Sequence, residues 1–98
     1  MLRAGPAIAA DYAVTIGGDE GISFGGTCLL VTEGGYAKHE ASGTVPLTLT
    51  FSGDLISCAI QKRTGSGHLR VVIRRAGGEV VADSSQEQPF GVILAAGR

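Results

Sequence analysis

With 98 residues, the chain is sized for one domain and one core. Its formal charge of −1 argues against a globally basic nucleic-acid binder and against an acidic disordered tail, and no apolar run approaches the roughly 20 residues of a membrane-crossing helix. Charged residues make up only 17% of the chain, few for a domain with so much surface relative to volume, so part of that surface is expected to lie covered.

Residues 1–10, MLRAGPAIAA, contain Ala7-Ile8-Ala9, which resembles the end of a secretory signal, yet they lack an apolar core of about 7–15 residues. They read as the stub of a signal or a linker ahead of a domain over residues 11–96. Tyr12, Val14 and Ile16 then alternate along a strand, which puts them on one face because successive strand side chains point to opposite sides. Gly17-Gly18-Asp19-Glu20-Gly21 turns the chain. Ile22–Thr32 keeps Ile22, Phe24, Cys28 and Leu30 in phase across Gly25-Gly26, a pair that marks either a bulge or a close backbone approach. After Glu33-Gly34-Gly35, the polar run Tyr36–Ser42 carries Lys38 and Glu40, charges that suit an edge strand because they discourage pairing with other chains. Thr44–Phe51 turns Val45, Leu47, Leu49 and Phe51 inward, and Pro46, which has no N–H, belongs at that strand's start or on an edge.

Ser52-Gly53-Asp54 reverses the chain into its most regular stretch, Asp54–Arg75. Ile56, Cys58 and Ile60 share one face, as do Leu69, Val71 and Ile73, and Thr64-Gly65-Ser66-Gly67 joins the two runs. The pattern predicts a half-buried β-hairpin with Arg70 and Arg74 outward. Ala76-Gly77-Gly78 leads into a short strand Glu79–Ala82, a polar loop Asp83–Gln88, Pro89 and a closing strand Phe90–Ala95. About eight short strands and no helix predict an all-β fold, an Ig-like antiparallel β-sandwich. A closed barrel is the lesser alternative, since an edge guarded like Tyr36–Ser42 has no place in one.

Gly65-Ser66-Gly67 before an alternating strand, Gly77–Val81 (GGEVV) after it, and the closing Pro89-Phe90-Gly91-Val92-Ile93 resemble the periplasmic domain of the mycobacterial small membrane-protein family (MmpS), accessories of large lipid exporters. The likeness spans residues 54–95, under half of the chain. That family has a cysteine where this chain has Val71, and an N-terminal membrane helix. The resemblance implies an Ig-like sandwich outside the cytoplasm and an accessory role in envelope transport.

No residue stands out as a catalyst, so the chain is not expected to be an enzyme. Ser66-Gly67-His68 with Asp54 or Asp83 contains the residue types of a nucleophilic triad, but a Ser two residues from a His on a turn has nothing to orient it, and turn chemistry explains it better. Asp19, Glu20, Asp54 and Asp83 fall in turns, where carboxylates are ordinary. The glycine-rich stretches lack the Lys-Ser/Thr of a phosphate-binding loop. Cys28, Cys58, His39 and His68 show no C-x-x-C or H-x-x-x-H spacing, so no metal and no cofactor is expected. Cys28 and Cys58 sit in inward phases and fit one bridge in an oxidising compartment or two buried thiols in a reducing one; the bridge is the expectation.

Two surface features remain. Five of the eight basic residues lie in Lys62–Arg75, which contains no acid. The plain reading is a solvated sheet face balanced by acids on neighbouring strands. The functional reading is a binding face made by Lys62, Arg63, His68, Arg70 and Arg74 that meets phosphate or carboxylate groups of a lipid headgroup, glycan or partner protein. No aromatic residue interleaves these cations, so nucleic acid is not the expected partner. The second feature is apolar: Leu29, Val31, Val72 and Ile93 take outward phases on strands that are apolar on both sides, and as neighbours they would form an interface. Together these predict a periplasmic or extracellular binding module with a protein partner, or alternatively a self-associating subunit of a homo-oligomer.

Overall fold

Tyr12, Val14 and Ile16 are at most 1% exposed, and so are Ile56, Cys58 and Ile60, and Leu69, Val71 and Ile73. Each row consists of alternate residues of one strand, and the rows meet between two sheets. The computed structural model describes residues 10–98, and its nine strands are β1 Ala10–Gly18, β2 Ser23–Thr32, β3 Gly35–Glu40, β4 Gly43–Thr44, β5 Leu47–Gly53, β6 Leu55–Lys62, β7 Leu69–Arg75, β8 Val80–Gln86 and β9 Val92–Gly97. No helix occurs among the described residues. Sheet A has the order β5-β1-β7-β8 and sheet B the order β3-β2-β6-β9, with β4 also against β2, and every pairing is antiparallel. The fold is therefore an all-β sandwich. The expected stub over residues 1–10 lies outside the described residues except for Ala10, which already belongs to β1.

The stretch Asp54–Arg75 keeps the inward faces expected of it but is not a hairpin. β6 pairs with β2 and β9, whereas β7 pairs with β1 and β8, so residues 63–68 carry the chain from one sheet to the other. Period-two alternation reports which side of a strand is buried, and two strands stacked across a core give the same pattern as two strands paired in one sheet. The true hairpins are β2–β3 and β7–β8.

Two other features depart from the sequence reading. Gly25-Gly26 contains no bulge, since β2 pairs residue by residue with β6 through Phe24↔Lys62, Gly26↔Ile60 and Cys28↔Cys58. The close-approach alternative holds instead: a Cβ at Gly26 would collide with the Ala59 carbonyl. The bulge lies elsewhere, between Ile73 and Arg74 in the β7–β8 ladder, and β8 runs on to Gln86 through residues expected to form a loop.

The expected strand Thr44–Phe51 is divided at Val45-Pro46, where the chain leaves the edge of sheet B and joins the edge of sheet A as β5. Pro46, with no N–H to give, stands just outside the ladder. β3 is the opposite kind of edge, exposed throughout and carrying Lys38 and Glu40. Over it, His39 and Phe51 bring their ring centroids to 5.1 Å and close that side of the sandwich.

Cys28 and Cys58 are bonded. They are register partners on β2 and β6 with Cα atoms 4.0 Å apart, as in the narrow, non-hydrogen-bonded pairs of an antiparallel ladder. The bridge staples two neighbours within sheet B, unlike the bridge between sheets of an antibody domain.

Candidate functional site

The five residues expected to form one basic face are divided by the fold. Lys62 continues the inward phase of Ile60 and is completely buried. Its Nζ donates to the Gly67 carbonyl at 2.6 Å and to the Glu87 carbonyl at 3.0 Å. Burying an ammonium group is tolerable only with such acceptors. Lys62 is thus a clamp at one end of the sandwich, where it holds the β6–β7 crossing to the loop before β9, and it has no part in a surface. Lys62→Met keeps the length of the side chain and deprives both carbonyls of a donor, so a loss of about 1–3 kcal/mol is expected in urea denaturation.

Arg63 lies on the outside of sheet B. Its backbone N–H donates to the Ser23 carbonyl at 2.9 Å, and its guanidinium covers Gly25 so closely that a Cβ there would strike it. His68 belongs to the end of sheet A: its N–H donates to Asp19 Oδ2 at 2.9 Å, and its carbonyl accepts from the Asp19 N–H at 3.0 Å. These bonds tie the β1–β2 turn to the start of β7. Ser66 offers its carbonyl to Thr64 Oγ1 at 2.8 Å, ordinary turn chemistry. Asp54 precedes β6 of sheet B, whereas His68 lies beyond the crossing at the start of β7 in sheet A, so the two stand at opposite ends of the sandwich.

Only Arg70 and Arg74 share a face, the outside of sheet A. Arg70 points Nε and Nη2 at Asp83 Oδ1 and Oδ2, at 2.9 and 2.6 Å, across the β7–β8 ladder. This fork lowers the Asp83 carboxyl below the usual carboxylate range and raises Arg70 above its own, chiefly through the hydrogen bonds. Arg70 is therefore committed at neutral pH. Arg75 is likewise paired with Glu79 at 2.9 Å. Arg74 has no acid at ion-pair distance among the described residues.

Arg74 overlooks a shallow channel along β1. The outward residues of β1 are Ala13, Thr15 and Gly17, too small to fill the space between the side chains of the neighbouring strands. Two hollows result, one of about 410 Å³ bordered by Asp11, Ala13, Thr50 and Ser52, the other of about 430 Å³ bordered by Thr15, Gly17, His68 and Arg70. Arg74 lines both. The channel offers the Arg74 guanidinium, hydroxyl groups and the already bonded Asp11–Ser52 pair.

The apolar patch does not exist as expected. Leu29 and Val31 lie half-buried on the outside of sheet B, Val72 is 6% exposed on the outside of sheet A between Thr15 and Asp83, and Ile93 is 3% exposed in the core opposite Ile60. β9 has the phase opposite to the expected one: Ile93 and Ala95 point inward, Val92 and Leu94 outward. A run apolar on both sides does not disclose its own phase, and pairing with β6 decides it. The sequence reading also missed Asp83 as a strand residue and ion-pair partner, because the Ser-rich run around it has little strand signal. Comparison with known protein families, with characterised proteins and with solved structures finds no match to this chain.

Proposed function

We propose that the domain is a secreted or periplasmic binding module without catalytic chemistry of its own, which takes a carboxylate or phosphate group of a partner into the channel on the outside of sheet A. The observation that carries this reading is Arg74: an arginine with no acid at ion-pair distance among the described residues, above a channel, between two arginines that are already paired. The buried Cys28–Cys58 bridge supports an oxidising compartment. An accessory role in envelope transport, implied by the likeness of residues 54–95 to the MmpS periplasmic domains, suits such a module.

The test is an NMR titration with inorganic phosphate and, separately, with acetate. Shifts are expected at Arg74, Thr50 and Ser52, with binding at least tenfold weaker in Arg74→Gln, the equivalent of about 1.4 kcal/mol. Equal shifts at every arginine, or binding indifferent to Arg74→Gln, would mean that the face is merely solvated.

A further inference from the structure

Besides the two-residue β4, four strands form the edges of the two sheets; two of these carry charge or a bulge, and a third is polar. β3 carries Lys38 and Glu40. β8 carries Asp83 and a bulge in its ladder. β5 is uncharged but turns the hydroxyls of Thr48, Thr50 and Ser52 outward, beside Asp11. β9 has none of these devices: VILAAG contains no charge, no proline and no bulge, and its pairing with β6 is continuous. Its outward side chains are Val92 and Leu94, 48% and 73% exposed, and Phe90 just before it is 56% exposed. Such an edge invites strand pairing.

The hydrogen-bonding phase of β9 follows from the ladder. Gly91 accepts from the Lys62 N–H at 2.9 Å, and the narrow Cys28–Cys58 pair turns the Cys58 backbone groups toward Ala95. Residues 91, 93, 95 and 97 therefore face β6, leaving the N–H and C=O groups of Val92, Leu94 and Ala96 along the open edge. The backbone groups that need partners thus belong to the residues whose side chains point outward.

We infer that β9 is a homodimerisation edge, at which two copies pair antiparallel about a two-fold axis through Leu94. In this register Leu94 meets Leu94 of the second copy, and Val92 meets Ala96, a large side chain against a small one. These three positions are hydrogen-bonded pairs, which gives roughly six main-chain bonds. No like charges oppose each other across the axis, and the same strand supplies both sides, as a two-fold interface requires. The contact joins two copies of sheet B into one continuous sheet, while β8, bent and charged, does not extend sheet A. This surface is on the opposite layer from the Arg74 channel and does not depend on its reading.

The experiment is light scattering on the full chain up to several hundred micromolar, with backbone hydrogen exchange on the same samples. The mass is expected to rise with concentration toward twice 9.9 kDa, and Leu94→Lys, which places two ammonium groups at the axis, is expected to remain at the single-chain mass with an unchanged circular dichroism spectrum. In the wild-type protein the amides of Val92, Leu94 and Ala96 are expected to become protected as concentration rises, a reading that needs no variant. A wild-type mass that stays monomeric, a dimer that Leu94→Lys leaves intact, or edge amides whose exchange ignores concentration would each overturn the proposal.

Discussion

Val71→Asp is expected to leave the domain unfolded, whereas Arg70→Asp, one residue away, is expected to leave it folded. Val71 is fully buried at the centre of β7, between Ile16 of β1 and Ser84 of β8. A carboxylate there has no cation to meet: Lys62 is buried too, but its Nζ is engaged with two carbonyls at the end of the sandwich. The substitution removes apolar burial and adds an uncompensated polar group, so the loss should exceed about 4 kcal/mol. That is a large share of the stability of an ordinary domain, roughly 5–15 kcal/mol. Arg70 projects into solvent, and its replacement exchanges an exposed ion pair with Asp83 for two solvated carboxylates, a change that water screens and the fold survives. Circular dichroism separates the outcomes. A native Val71→Asp with an unfolded Arg70→Asp would show β7 to be shifted by one residue, which exchanges its two faces.

The second large effect is expected from the bridge. Cys28 and Cys58 are separated by 30 residues, and cross-linking that span should remove enough freedom from the unfolded chain to contribute roughly 3.5 kcal/mol. The span includes β3, β4 and β5, so the staple limits how far the unfolded chain can separate the two central strands of sheet B. Replacing both cysteines by alanine should lower the melting temperature by roughly 14–28 °C, at about 4–8 °C per kcal/mol for a domain of this length. Both cysteines are at most 1% exposed, so the folded, unreduced protein should take up no thiol reagent. Prompt labelling of both would show the thiols to be free, and a melting point unchanged in the double variant would show that the bridge does not stabilise the fold.

In strands with polar residues between the apolar ones, faces were legible in the sequence and neighbours were not; in β9, apolar on both sides, even the face was not. Ile56, Cys58 and Ile60, like Leu69, Val71 and Ile73, alternate clearly enough to identify what is buried. That each set belongs to a different sheet depends on β1 and β2, distant in the chain, and local periodicity contains no such information. Lys62 is the sharper case. It stands in phase with Ile60, but a lysine at a strand end is ordinarily a place where the side chain reaches water. What keeps it inside is a pair of carbonyls, Gly67 and Glu87, that converge only once both loops are folded. The proposed anion site was half legible: Arg70 and Arg74 stood out as an outward pair, but the acid that occupies Arg70 comes from Asp83, in a run without visible strand character.

The position of β1 bears on how the chain reaches this structure. The first strand is interior to sheet A, and its two neighbours, β5 and β7, arrive far later: Tyr12 lies opposite Phe51 on one side and Arg75 on the other. It has no local partner, since the next strand in the chain belongs to the other layer. Folding therefore cannot proceed in order from the N-terminus, and loop closures spanning about half the chain must precede the contacts that reward them. A nascent chain ending after β6 would hold the Cys28–Cys58 strands together while β1 still lacked β7. Sheet A thus waits on β7 before it can close around its own first strand, and the domain belongs among slow-folding, long-range β topologies.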